Sequence, residues 1–125
     1  MTTKRYSLFL IEDHALMRRV LRQLLEEELD LEVIAEAESA ESALSQLFGV
    51  SPDLILTDLS LPGASGLELI AWLKVQRPEL RCLVITGHTD QFYRAAALAA
   101  GAAGYVTKDD PDEVIGAVRR ALEVR

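Results

Sequence analysis

Five short apolar runs alternate with five longer segments whose apolar residues recur at intervals of three and four, and this alternation constrains the fold most strongly. It specifies β-α repeats and an α/β architecture with a parallel sheet. The runs are Tyr6 to Ile11, Val33 to Ala37, Asp53 to Thr57, Cys82 to Ile85 and Gly104 to Thr107, most of them β-branched or aliphatic throughout. Strands of that composition are buried on both faces, so helices must cover both sides of the sheet. The 125 residues make one domain, 1–125, large enough to bury about two thirds of its unfolded surface.

The intervening segments carry helix boundaries. Met17, Val20, Leu21, Leu24 and Leu25 form one apolar stripe after Asp13, with arginines and glutamates between them facing water. Ser39 is placed to cap a second helix with Ala43, Leu44, Leu47 and Phe48 turned inward, and Gly49 to supply the left-handed residue that ends it. Ser65 and Glu68 make a capping-box pair for a third helix carrying Leu69, Ile70 and Leu73, which must stop before Pro78. A fourth follows Thr89-Asp90 and is closed by Gly101, its Ala95 to Ala100 stretch small enough for close packing on the sheet. The fifth has Asp110 as cap, Pro111 at the first helical position and Glu113 three residues after the cap, then Val114, Ile115, Val118 and Leu122. The sequence stops directly after this helix, as either a free-standing protein or a module of a longer polypeptide would.

Thirteen Lys plus Arg against 20 Asp plus Glu leave a net charge of −7. That argues against nucleic acid as a partner of this domain, because a phosphate-binding surface needs clustered cations. No apolar run approaches the roughly 20 residues of a membrane span, and the N-terminus lacks the apolar core of a secretory signal. The single cysteine, Cys82, has no partner for a disulfide or a thiolate metal site and reads as a small buried apolar residue. These features suit the cytoplasm.

In an open parallel sheet the carboxyl ends of the strands gather at one edge, where ligands bind. Glu12 and Asp13 follow the first strand, Asp58 the third, Thr86 the fourth and Lys108 the fifth. Three carboxylates, a hydroxyl and an ammonium from distant parts of the chain therefore meet in one small area. Such a cluster repels itself unless the lysine or a divalent cation neutralises it, and an oxygen-only donor set favours Mg²⁺. Each residue alone has a plain structural explanation: Asp13 as a helix cap, Thr86 as a turn residue, Lys108 as a solvated lysine. Their joint placement at one sheet edge is what points to chemistry. His14, in a first helical turn, reads as exposed and incidental, and Trp72 as partly buried packing.

Four stretches carry a family resemblance: Ile11-Glu12-Asp13-His14; Pro52-Asp53-Leu54-Ile55-Leu56-Thr57-Asp58-Leu59-Ser60-Leu61-Pro62-Gly63; Val84-Ile85-Thr86-Gly87; and Ala102-Ala103-Gly104-Tyr105-Val106-Thr107-Lys108. In order and spacing they resemble the receiver domain of two-component response regulators, over nearly the whole chain. The resemblance implies a flavodoxin-like (βα)5 three-layer sandwich whose parallel five-stranded sheet has the order 2-1-3-4-5. It implies a phosphoryl acceptor at Asp58 and Mg²⁺ ligands at Asp13, Asp58 and the backbone carbonyl of Ser60, with Glu12 acting through water. Lys108 falls on the phosphate-contacting lysine, Thr86 on the switch hydroxyl and Tyr105 on the switch aromatic, which turns inward into space vacated by Thr86. The implied donor is a phosphohistidine on a sensor histidine kinase or phosphotransfer protein. The domain would be a signalling phosphoacceptor rather than an enzyme, catalysing only its own phosphorylation and slow dephosphorylation. Its output would be a changed binding surface on helix four, strand five and helix five, or on helices one and five, with a homodimer as one form.

Two departures from the pattern matter. Lys108 is followed by Asp109-Asp110-Pro111, where many receivers have proline at once. This is similar to receivers joined to helix-turn-helix output domains, through which DNA would be reached. Without that proline, a cis bond after Lys108 costs about 2.5–4 kcal/mol. Ser60 and His88, two residues after Asp58 and Thr86, stand where the family tunes access of water and the lifetime of the phosphate.

Rival readings meet specific obstacles. An aspartyl-phosphate phosphatase needs a second Asp two residues after the nucleophile as acid and base, where Ser60 stands. A flavin-binding protein needs a Ser, Thr and Gly phosphate loop after the first strand, where Glu12-Asp13 would repel the phosphate. A receiver that only binds partners is disfavoured because all the chemical positions are filled. A stand-alone receiver acting as a relay or adaptor is the alternative within the family.

Overall fold

The computed structural model describes residues 5–87 and 91–123. Strands and helices alternate as β1 (Tyr6–Ile11), α1 (Ala15–Glu26), β2 (Leu31–Ala37), α2 (Ala40–Leu47), β3 (Leu54–Thr57), α3 (Gly66–Gln76), β4 (Arg81–Thr86), α4 (Gln91–Ala100), β5 (Gly104–Thr107) and α5 (Pro111–Glu123). The strands pair in parallel in the order β2-β1-β3-β4-β5, the arrangement implied by the sequence.

Alternation along each strand divides the core in two. Leu8, Leu10, Leu54, Leu56, Leu83 and Ile85 turn toward α1 and α5 and meet Leu21, Leu25, Val114, Val118 and Leu122. Phe9, Ile11, Ile55, Cys82 and Val84 turn the other way and meet Ala43, Leu47, Leu69, Ile70, Leu73 and Ala97 of α2, α3 and α4. Burial pushes the Cys82 thiol up to about 12, so it stays a protonated packing group. β2 begins at Leu31, earlier than the apolar run suggested, because Leu31 pairs with Tyr6 and is itself buried.

The third and fifth helices start as their sequences specify. Ser65 Oγ accepts the Glu68 N–H at 3.2 Å while the Glu68 carboxylate accepts the Ser65 N–H at 3.0 Å. Asp110 Oδ1 accepts from the N–H groups of Asp112 and Glu113 at 3.0 and 3.3 Å. Other helices depart from expectation. His14, not Asp13, caps α1, its Nδ1 accepting the Met17 N–H at 3.2 Å. Only Leu21 and Leu25, one turn apart, reach full burial on α1, so Val20 on the flank is 48% exposed. Phe48 is 91% exposed, because α2 ends at Leu47 and the capping residue continues the helical turn outward. Gly49 does not adopt a left-handed conformation; its N–H closes a tight turn onto Gln46 O at 3.0 Å. Gly101 does, with φ of 115°, and it ends α4 as expected. Of Ala95 to Ala100, Ala97 alone is fully buried. Thr89, Asp90 and His88 lie outside the described residues.

Candidate functional site

The sheet continues its hydrogen bonding one residue beyond β1 and β3, which holds two acids at its carboxyl edge. The Glu12 N–H donates to Ala37 O at 3.0 Å and the Asp58 N–H to Ile11 O at 3.2 Å. Both side chains are withdrawn from water, Glu12 at 2% and Asp58 at 7% exposure, whereas Asp13 beside them is exposed. Glu12 Oε2 accepts the His14 N–H at 3.0 Å, and Asp58 Oδ1 accepts the Ser60 N–H at 3.2 Å.

Lys108 closes the group. Its backbone N–H donates to Thr86 O at 2.9 Å, which carries the β4 to β5 pairing past β5 and sets the side chain over the edge. Nζ donates to Asp58 Oδ2 at 2.7 Å and also to Glu12 Oε1. Burial works against the ammonium, but hydrogen bonds and charge from Asp58 and Glu12 outweigh it and raise its pKa above the ordinary lysine value. Thr86 is fully buried at the end of β4.

Glu12, Asp13 and Asp58 each offer a carboxylate oxygen, and these atoms lie within 4.8 Å of one another. A donor set made only of oxygen, partly buried and partly open, fits a hard divalent cation. The Lys108–Asp109 peptide bond is trans, as are all others among the described residues.

The sequence pattern of the response regulator receiver domain matches residues 8–119. This chain belongs to that family. It is a receiver of the two-component type. The chain is 40% identical over 101 residues to the DNA-binding transcriptional activator DevR/DosR of Mycobacterium tuberculosis, covering 81% of this chain and 46% of that protein. It is 40% identical over 116 residues to the transcriptional activator ExaE of Pseudomonas putida, covering 92% and 54%. The receiver thus spans about half the length of the curated relatives it matches. Among solved structures, the receiver domain of a response regulator NarL from Mycobacterium tuberculosis superposes with a TM-score of 0.91 at 27% identity, covering 98% of this chain and 100% of that one. A LuxR-family response regulator from Aurantimonas gives 0.91 at 33% identity, covering 95% and 86%.

Every site residue read from the sequence at the strand ends of this receiver lies at the one sheet edge. Tyr105 of β5 is buried, at 9% exposure, among the core residues that face α2, α3 and α4, with the Arg94 guanidinium 5.8 Å from its ring centre. Other residues that shape the edge escaped the sequence reading. Arg18 of α1 donates to the Glu12 carbonyl at 2.7 Å and pairs with Glu36 of β2 at 3.2 Å, tying the acidic turn to its neighbour. Gly66 packs against the Asp58 carbonyl so closely that a Cβ there would lie 2.2 Å from the oxygen. The readable signal was a glycine opening a helix, where it is about 1 kcal/mol worse than alanine unless something forbids a side chain.

Proposed function

We propose that this receiver accepts a phosphoryl group on Asp58 from the phosphohistidine of a sensor histidine kinase or phosphotransfer protein, in a Mg²⁺-dependent reaction, and so switches a protein-interaction surface. The observation that carries the reading is a buried Asp58 carboxylate with Lys108 Nζ 2.7 Å away and two further carboxylates beside it. A carboxylate nucleophile needs no general base. One Asp58 oxygen attacks phosphorus, the bond from phosphorus to the imidazole nitrogen breaks, and that nitrogen keeps the electron pair. Lys108 offsets negative charge on the phosphoryl oxygens from where it already stands. Asp13, Asp58 and the Ser60 carbonyl would hold the metal, with Glu12 acting through water, and bound Mg²⁺ would add to the neutralisation of those oxygens.

The product brings roughly two negative charges and strong acceptors beside Thr86. The Thr86 hydroxyl donates to them, and the packed face of α4, β5 and α5 rearranges around the buried Tyr105 ring. This is a local charge change acting on a packed element. Residues 1–125 act as a single receiver domain that turns over only its own phosphoryl group, in the cytoplasm. The names of its relatives support a DNA-binding output and transcriptional control as the purpose of the switch, with homodimerisation as one route. The test is incubation with acetyl phosphate followed by intact mass measurement. One added phosphoryl group in Mg²⁺, and none in excess chelator, is expected; modification that ignores the metal would overturn the reading.

A further inference from the structure

We propose that Glu41, on α2 and outside the acidic cluster, is a positioning residue that holds the loop between β3 and α3 in the shape the phosphoryl site needs. The inference rests on the reading of Asp58 and Ser60 given above.

Glu41 lies in the first turn of α2, behind the Ser39 cap, where a helix N-terminus favours a carboxylate. Its Oε2 accepts the Ala64 N–H at 3.1 Å, across 23 residues of chain. That bond is the main cause of a Glu41 pKa below the ordinary glutamate value. The neighbouring Gly63 has φ of 74°, and a Cβ on it would lie 2.9 and 3.0 Å from the two Glu41 oxygens. The glycine therefore serves two needs at once: it takes a left-handed turn, and it leaves room for the carboxylate to seat.

The loop's near end is fixed by Ser60, whose N–H donates to Asp58 Oδ1 at 3.2 Å, and its far end by the Ser65–Glu68 capping box. Glu41 adds a tie from another element to the limb between them. Without it, the Pro62 to Ala64 limb gains conformations, and the Ser60 carbonyl at its root spends less time where a cation needs it. Preorganisation of this kind is lost as affinity rather than as fold.

Calorimetric titration of Mg²⁺ into the wild-type chain, Glu41→Ala, Glu41→Gln, Gly63→Ala and the double variant Glu41→Ala/Gly63→Ala tests this, with amide hydrogen exchange at Ala64 and thermal melting without metal. Glu41→Ala should weaken Mg²⁺ binding by about three- to tenfold, the range of one exposed hydrogen bond, and speed Ala64 exchange. Glu41→Gln keeps an acceptor oxygen and should stay within about twofold of wild type. Gly63→Ala should also weaken binding, and by less when Glu41 is already alanine, because part of its cost is contact with the carboxylate. Unchanged Mg²⁺ affinity in Glu41→Ala would overturn the proposal, as would a lowered melting temperature with affinity intact, which marks a purely structural contact. Wild type that binds no Mg²⁺ would instead overturn the phosphoryl-site reading, and this inference with it.

Discussion

The Lys108 ammonium donates to Asp58 at 2.7 Å and to Glu12 as well, so one cation neutralises both buried carboxylates at the sheet edge. A divalent cation held by Glu12, Asp13 and Asp58 would act on the same charges, and the chain's stability should then report on both.

Lys108→Ala should leave the fold intact but uncover the repulsion between Glu12, Asp13 and Asp58. Millimolar Mg²⁺ should then raise the melting temperature of the variant by more than it raises that of wild type, through linkage to the folded state. Equal shifts measured by circular dichroism would show that lysine and metal do not act on the same charges.

The raised Lys108 pKa also predicts an alkaline effect. Its contribution is complete below 10.5, the unfolded value, and is lost as pH rises through the higher folded value. Urea unfolding of wild type should weaken on that side, and Lys108→Ala should lack this component. Parallel pH curves for the two proteins would contradict it.

Arg119 of α5 pairs with Asp30 Oδ2 at 2.8 Å and with Glu28 at 2.7 Å, in the turn between α1 and β2. The hydrogen bond from Arg119 is the main cause of an Asp30 pKa below 3.8. That pairing is present above 3.8 and is lost as pH falls through the depressed folded value. The groups are about a third exposed and solvent screens them, so Arg119→Gln should cost about 0.5–1 kcal/mol at neutral pH and little in acid. A deficit in urea unfolding that persisted unchanged in acid would point to lost packing by the arginine stem.

Gly66→Ala tests the close approach at the end of β3. Alanine is the better helix former by about 1 kcal/mol, yet its Cβ would meet the Asp58 carbonyl, a backbone atom that cannot move freely. A net loss of about 1–3 kcal/mol in urea unfolding is expected, the usual cost of overpacking. A neutral or stabilising result would mean that β3 and α3 separate without penalty.

Elements set by local chemistry were legible in the sequence. The β-α alternation yielded all ten elements, and the capping signals at Ser65 and Asp110 opened their helices where the residues said they would. That the strand-end polar residues cluster was legible because parallel topology alone brings the ends of β1, β3, β4 and β5 to one edge. What escaped depended on tertiary geometry. Phe48 continues an apolar stripe in sequence, but α2 stops one residue short and leaves the ring in water. Glycine at position 49 looked like a helix stop, while the left-handed turn that matters is Gly63, whose partner Glu41 lies on another element. Arg18 and Glu41 act on backbone groups, and a sequence does not show which carbonyl or N–H a side chain will reach.

The central claim is that Asp58 is the acceptor, and reductive trapping tests it most directly. The chain is treated with acetyl phosphate and Mg²⁺, then with borohydride, which reduces an aspartyl phosphate to homoserine, and the peptides are sequenced by mass spectrometry. Conversion at Asp58 alone, absent from Asp58→Asn and from samples in chelator, is the predicted result; conversion at Glu12, Asp13 or elsewhere with Asp58 untouched would contradict the account.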